Sequence, residues 1–410
     1  MADDSPPPPR RQGFRTRLSH ACRAGTHIHG FVNPPLLRGS TVLYPTVAQR
    51  RAMGSKRLDQ ALVYGLMGSP THHALEDVVA EIEGGTRCQI VCSGLAAVTT
   101  ALQAYLRAGE HCLIPDSCYG PARNFCDHFL SRFGIGITYY RPEVSEPEIA
   151  GLIQSNTTVV YVESPGSHTF EVQDVPALAR AAHARGAKVL MDNTWGFHFF
   201  QPFRHGVDVS IQALTKYAGG HSDLLIGSIA TASREDWERV RMAAMALGQF
   251  ASPDDCWLTL RGLRTLGVRL ERQMESGLEV ARWLAGRPEV KTVLHPALPG
   301  APGHALWERD FTGACSLFGV VFQAQFSAEA TQAMADSLEL FGIGASWGGY
   351  ESLVLPTTGF IARTAGSGDF GGPVVRIHIG LEDTADLIAD LERGLKVLRE
   401  YGRCSGKPAE

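Results

Sequence analysis

The sequence contains no apolar run approaching the roughly 18 residues that a membrane-spanning helix requires, so no span is expected. It has no excess of either charge. With 38 basic and 42 acidic residues, a formal net charge of −4 and a pI near 6.4, it carries no electrostatic footprint for nucleic acid or an anionic membrane. It has no Cys-x-x-Cys pair. Nine cysteines, at positions 22, 88, 92, 112, 118, 126, 256, 315 and 404, are an odd number in a long chain. They favour reduced, mostly buried thiols in a cytoplasmic protein over a disulfide framework or a zinc site. His27, His29 and the pair His72-His73 lack a cysteine or acid at ligand spacing, so they read as surface or structural residues and no metal is expected. Neither an internal repeat nor a long linker is visible. Met1 to Gln12 runs acidic, then proline-rich from Pro6 to Pro9, then basic, without the apolar core of a secretory signal; a disordered tail is expected there.

What is present is ordinary globular composition, 44% apolar and 20% charged, in 410 residues, enough for two to three domains with a large core. From about residue 75 onward, short β-branched runs alternate with alanine-rich helical patterns. Strands are expected at 88–92, 157–163, 187–191 and 207–211, with helices over 95–108 and 175–185. The alternation predicts an α/β fold with a mostly parallel sheet covered on both faces. In such sheets ligands bind outside the carboxyl ends of the strands. A second region begins near Leu263, with a helical pattern at 269–284, strands at 319–323 and 374–379, and a closing amphipathic helix over 383–401. Residues 1–68 show no regular pattern, which suggests a tail and an extended arm reaching a neighbouring subunit.

Two residues at predicted strand ends carry the chemistry. Asp192 closes the run Ala187–Met191, and Lys216 follows the run Val207–Ile211. A lysine that can form a Schiff base and an acid that can hold a pyridine nitrogen protonated are the pair that pyridoxal phosphate chemistry requires. Alone, Asp192 would be a turn-capping acid in roughly half of such sequences, and Lys216 a solvated lysine far more often than a catalyst. Ser93-Gly94-Leu95, linking strand to helix, supplies a glycine and a helix N-terminus suited to a phosphate. Tyr119 follows the run Cys112–Pro115 and could stack on a flat ring, although a lone tyrosine is more often ordinary packing. Arg376 lies inside an apolar strand, where an unpaired cation is costly. It is either a clamp for an amino-acid carboxylate or half of a buried ion pair.

With these residues stand Leu75-Glu76 through Glu83-Gly84-Gly85, Tyr119-Gly120-Pro121, Glu163-Ser164-Pro165-Gly166 and Asp192-Asn193-Thr194-Trp195. Then come Gln212 to Tyr217, Gly220-His221-Ser222-Asp223, Arg261 to Gly267, His295-Pro296, Ser346 to Ser352 and Arg376 to Asp383. In this order, from about Gly39 to Glu400, the chain resembles the cysteine/methionine-metabolism family of pyridoxal phosphate enzymes, and within it the bacterial cystathionine β-lyases. The resemblance implies fold type I, like aspartate aminotransferase, with a cofactor-binding large domain over 69–262 and a smaller α+β domain over 263–410. It implies that Lys216 holds the cofactor and Asp192 its ring nitrogen, while Tyr119 stacks on the ring. Ser93, Gly94, Leu95 and Thr215 would surround the phosphate. Arg376, with Ser346 and Trp347, would receive the substrate carboxylate. Tyr64, from a neighbouring subunit, would reach the phosphate and the reacting centre beside Lys216 and Tyr119, in a homotetramer built from dimers.

The implied reaction is α,β-elimination of an S-substituted cysteine such as L-cystathionine to a thiol, pyruvate and ammonia, with a broad cysteine-S-conjugate lyase or a γ-branch enzyme as alternatives. Several positions depart from the family pattern. The arm reads Tyr64-Gly65-Leu66 where the family commonly has Tyr-x-Arg, so a phosphate-gripping charge is missing. Ala345 replaces a tyrosine before Ser346 and could widen the pocket. Ala213 stands where γ-specific members often carry serine, and Trp195 is more typical of β-lyases.

Overall fold

The computed structural model describes residues 13–21, 30–56 and 58–404. The expected tail at 1–12 and the pair His27 and His29 lie outside the described residues. Seven strands form the larger sheet: β1 (Arg87–Val91), β2 (His111–Pro115), β3 (Gly136–Tyr140), β4 (Thr157–Glu163), β5 (Lys188–Asp192), β6 (Val209–Gln212) and β7 (Gly227–Thr231). Their order is β1-β7-β6-β5-β4-β2-β3. All neighbours are parallel except β7, which runs antiparallel to both β1 and β6.

The central strands β2, β4, β6 and β7 are buried almost throughout because both faces of the sheet are covered there. Along β4 the side chains alternate between two cores: Val160 and Val162 join Leu75, Val79 and Leu178 on one side. Val159 and Tyr161 join Val98, Leu102 and Val240 on the other. Helix Gly94–Tyr105 starts from Ser93, whose hydroxyl accepts the Ala96 amide as an N-cap.

A second, mainly antiparallel sheet contains β8 (Val290–Leu294), β9 (Leu317–Phe322), β10 (Gly342–Ile343), β11 (Leu353–Pro356) and β12 (Val374–His378), in the order β10-β11-β12-β9-β8. Leu387, Leu391, Leu395 and Leu398 of the closing helix form the apolar stripe that covers it.

Two expectations change. Residues 14–20 and 47–54 are helical, and Thr41 bridges Tyr64, so the first 68 residues are not wholly irregular. Helices of seven or eight residues are too short to show an amphipathic period. The helical pattern expected at 269–284 is the latter half of a 33-residue helix, Pro253–Ala285, which begins at the Ser252 N-cap. The expected division at 262/263 therefore falls inside a continuous helix that joins one apolar cluster against the larger sheet, through Leu260 and Leu263, to the cluster on the smaller sheet, through Val280 and Leu284.

Candidate active site

The ends of β4, β5 and β6 place the predicted residues together. Asp192 is the last residue of β5 and pairs in register with Glu163 of β4 and Ile211 of β6. Its Oδ1 accepts the Thr194 amide at 3.0 Å. Desolvation pushes this carboxyl up, while the Thr194 hydrogen bonds and the Lys216 charge pull it down.

Lys216 stands in the turn after β6. Its ammonium is lowered to about 8 by burial and by the Arg376 charge, against a raising influence from Asp192. Its Nζ donates to Ser346 Oγ at 2.8 Å and lies 5.4 Å from the centre of the Trp347 ring. An amine so lowered has a sizeable neutral fraction near pH 7, which suits both carbonyl capture and proton abstraction.

At the start of helix Gly94–Tyr105, the Ser93 side chain satisfies the Ala96 amide and the Ser93 carbonyl that of Ala97. The first-turn amides of Gly94 and Leu95 remain for an anion. A Cβ at Gly94 would lie 2.5 Å from Ala213 Cβ, so only glycine lets this helix end approach the Lys216 turn. The Thr215 hydroxyl donates to the Ile226 carbonyl and accepts its amide, so a phosphate contact from Thr215 requires the hydroxyl to turn.

Tyr119 caps helix Gly120–His128, with its side chain 43% exposed and its amide held by Glu163 Oε2 at 2.8 Å. Burial, followed by Asp192 and Glu163, raises its phenol. Arg376, on β12, is buried, and its Nη2 donates to the carbonyls of Gly344, Ala345 and Ser346 at 3.0, 3.0 and 2.9 Å. It pairs with no acid among the described residues, so the buried-ion-pair alternative does not hold. Desolvation lowers it to about 10.

These groups fit pyridoxal phosphate: an amine, an acid, first-turn helix amides and an aromatic residue all lie beyond the carboxyl ends of the large sheet's strands. Residues 15–396 match the family described as "Cys/Met metabolism PLP-dependent enzyme", and that decides the assignment. The chain belongs to this family of pyridoxal phosphate enzymes.

This family member, a carbon–sulfur lyase by its kinship, is 41% identical over 385 residues to the cystathionine β-lyase MetC of Escherichia coli (92% of this chain, 97% of that one). It is 44% identical over 371 residues to the cystathionine β-lyase of Bordetella avium (89% and 92%). Among solved structures it is similar to the cystathionine γ-synthase of Xanthomonas oryzae pv. oryzae, determined with aminoacrylate and cysteine. The TM-score is 0.86 at 29% identity, covering 94% of this chain and 98% of that one.

Tyr64 stands elsewhere in this PLP enzyme. It is half exposed on the arm and lines a groove of about 560 Å³ with Arg38, Leu66, Phe250 and Pro253. Trp195 does not face the site either: its indole donates to the Leu317 carbonyl, and its ring packs edge-on against His295 and Phe311.

Sequence reasoning missed three supports. Glu163 holds the Tyr119 amide. His378 Nε2 accepts the Gly348 amide at 3.1 Å, and its Nδ1 meets Ser316, fixing the loop that carries Ser346. Asp116 gathers the amides of Thr364, Ala365 and Gly366 together with Arg123, fastening the β11–β12 connection beside the turn that leads to Tyr119. An acid inside a motif was the available signal for Glu163; the partners of the other two are far apart in sequence.

Proposed function

We propose that the enzyme eliminates the thiol from L-cystathionine or a related S-substituted L-cysteine, releasing homocysteine or another thiol with pyruvate and ammonia. The observation that carries this reading is the buried, acid-free Arg376, aimed at the same loop whose Ser346 holds the Lys216 amine. A carboxylate on Arg376 places an amino acid's Cα beside Lys216. Bound pyridoxal phosphate supplies an electron sink that stabilises negative charge developing at Cα. Lys216 Nζ removes the Cα proton and returns a proton to the departing sulfur, with the Ser346 hydroxyl orienting the amine between the two transfers. Asp192 would hold the ring nitrogen, Gly94 and Leu95 the phosphate, and Tyr119 one face of the ring.

The β-lyase names of the Escherichia coli and Bordetella avium relatives, at 41% and 44% identity, favour β-elimination over the γ reactions. In our reading the enzyme is a cytoplasmic homotetramer, and Tyr64 enters the site of a second copy. The exposed apolar side chains of the arm, among them Phe31, Leu43 and Val47, support such burial. The test is product analysis of the purified, cofactor-loaded enzyme with L-cystathionine. Pyruvate with homocysteine is expected; 2-oxobutanoate with cysteine would move the enzyme to the γ branch.

A further inference from the structure

Behind the two strand ends that carry Asp192 and Lys216 lies a carboxyl group with no cation. Glu83 ends helix Pro70–Glu83 and is completely buried. Its Oε1 accepts from Gln212 Nε2 at 3.0 Å and from Asn193 Nδ2 at 3.3 Å, and its Oε2 accepts from the Ser210 hydroxyl. Gln212 Nε2 also donates to the Asn193 carbonyl at 3.0 Å. All three partners are buried. Burial, the largest influence, pushes the Glu83 carboxyl up to about 7, and the neighbouring Asp192 charge adds to the push.

A buried acid without a cation gains no ion-pair energy, so its hold on three buried donors is its structural contribution. What the acid does provide is placement. Asn193 follows Asp192 directly in β5's exit, whereas Ser210 and Gln212 sit on one face of β6, whose exit turn carries Lys216. One side chain thus binds both exits.

We propose that Glu83 is a positioning residue, whose carboxyl ties Asn193 to Ser210 and Gln212 and thereby sets the separation and angle between Asp192 and Lys216. The proposal rests on the reading that those two residues hold the cofactor. Glu83 touches neither cofactor nor substrate; it acts through the strand ends. A shift of about 1 Å between paired catalytic groups is enough to change rates by roughly a hundredfold.

The test uses Glu83→Gln, which keeps the volume and turns one acceptor into a donor, and Gln212→Leu, which removes the link from the other side and stands in if the first variant does not fold. Four quantities are read: thermal midpoint of the cofactor-free protein, pyridoxal phosphate dissociation constant, circular dichroism of the bound cofactor, and kcat against KM. The expected result is an altered cofactor dichroism, with KM near wild type and affinity and kcat each reduced about tenfold in protein that remains folded at the assay temperature, beyond what any fall in the cofactor-free midpoint accounts for. Unchanged dichroism and affinity in a folded variant overturn the proposal. So does a loss of activity that merely follows a lowered midpoint. Borohydride reduction of the wild-type holoenzyme, followed by peptide mapping, separates the two layers. Cofactor fixed anywhere but Lys216 would defeat the reading of the site, whatever Glu83 does.

Discussion

The Lys216 amine and the Ser346 hydroxyl meet at 2.8 Å although 130 residues separate them in the chain. The first comes from a turn of the large sheet, the second from a loop of the smaller region that His378 anchors through the Gly348 amide. The Lys216 amine is therefore oriented by a loop of the smaller sheet's region.

Replacing Ser346 with alanine removes the acceptor that orients this amine. The expected outcome is a kcat about tenfold or more below wild type with little change in cofactor affinity. Steady-state kinetics beside a cofactor titration would show it; equal losses in both would place Ser346 in cofactor binding instead.

The lowered Lys216 amine predicts a pH dependence. Only the neutral amine attacks an aldehyde, so the rate of cofactor capture by cofactor-free protein should rise with an inflection at about 8. Removing the neighbouring positive charge in Arg376→Gln relieves repulsion of the ammonium and should move the inflection upward. Stopped-flow capture rates across pH 6 to 10.5 decide this, and a wild-type inflection at the ordinary lysine value near 10.4 would refute it.

The same substitution removes the proposed carboxylate clamp. A charge-assisted pair of this kind contributes about 1.5–3 kcal/mol, so Arg376→Gln should lower kcat/KM roughly tenfold to a hundredfold. Arg376→Lys should recover little, because an ammonium cannot satisfy three backbone carbonyls and still offer a planar fork. A lysine variant with wild-type kinetics would contradict the clamp.

Gly262 lies in the interior of helix Pro253–Ala285, and a Cβ there would stand 2.4 Å from the carbonyl oxygens of Ala218 and Gly219, just beyond Lys216. Both contacts are backbone, so neither can swing away. Gly262→Ala should destabilise the fold by about 1–3 kcal/mol despite alanine's better helix propensity. Denaturant unfolding measures it; a stabilised variant would show that this helix is not held where described.

Acid should unfold the protein through histidines, two half-buried and two buried, that the fold holds neutral. His168, His198 and His295 are lowered to about 4 and His378 to about 3, in every case chiefly by burial. The unfolded chain takes up protons near pH 6.5, whereas the folded state resists them. Their contribution is thus fully present above about 6.5 and is lost as pH falls toward 4 and 3. Thermal midpoints across pH 4 to 8 should drop below about 6.5, and His378→Asn should flatten part of that drop.

Much of the site was legible because its residues follow local signals. The strand at 157–163 appears with the expected bounds, Asp192 ends β5 and Lys216 stands in the turn that follows β6, since an apolar run closed by a polar turn encodes a buried strand exit. The antiparallel β7, the full 33-residue helix and the clustering around Glu83 were not legible. Glu83 meets Asn193 across 110 residues and Gln212 across 129.

The sequence by itself determined the chemistry available to this protein: a lysine after one strand, an acid closing another, a glycine at a helix start and a cation within an apolar strand. Tertiary structure decided which of them face one another, what holds them and how their protons are shifted. Hydrophobic period records whether a residue is buried, a local property. Partnership and desolvation depend on strands and loops that become neighbours only when the two sheets close around the site.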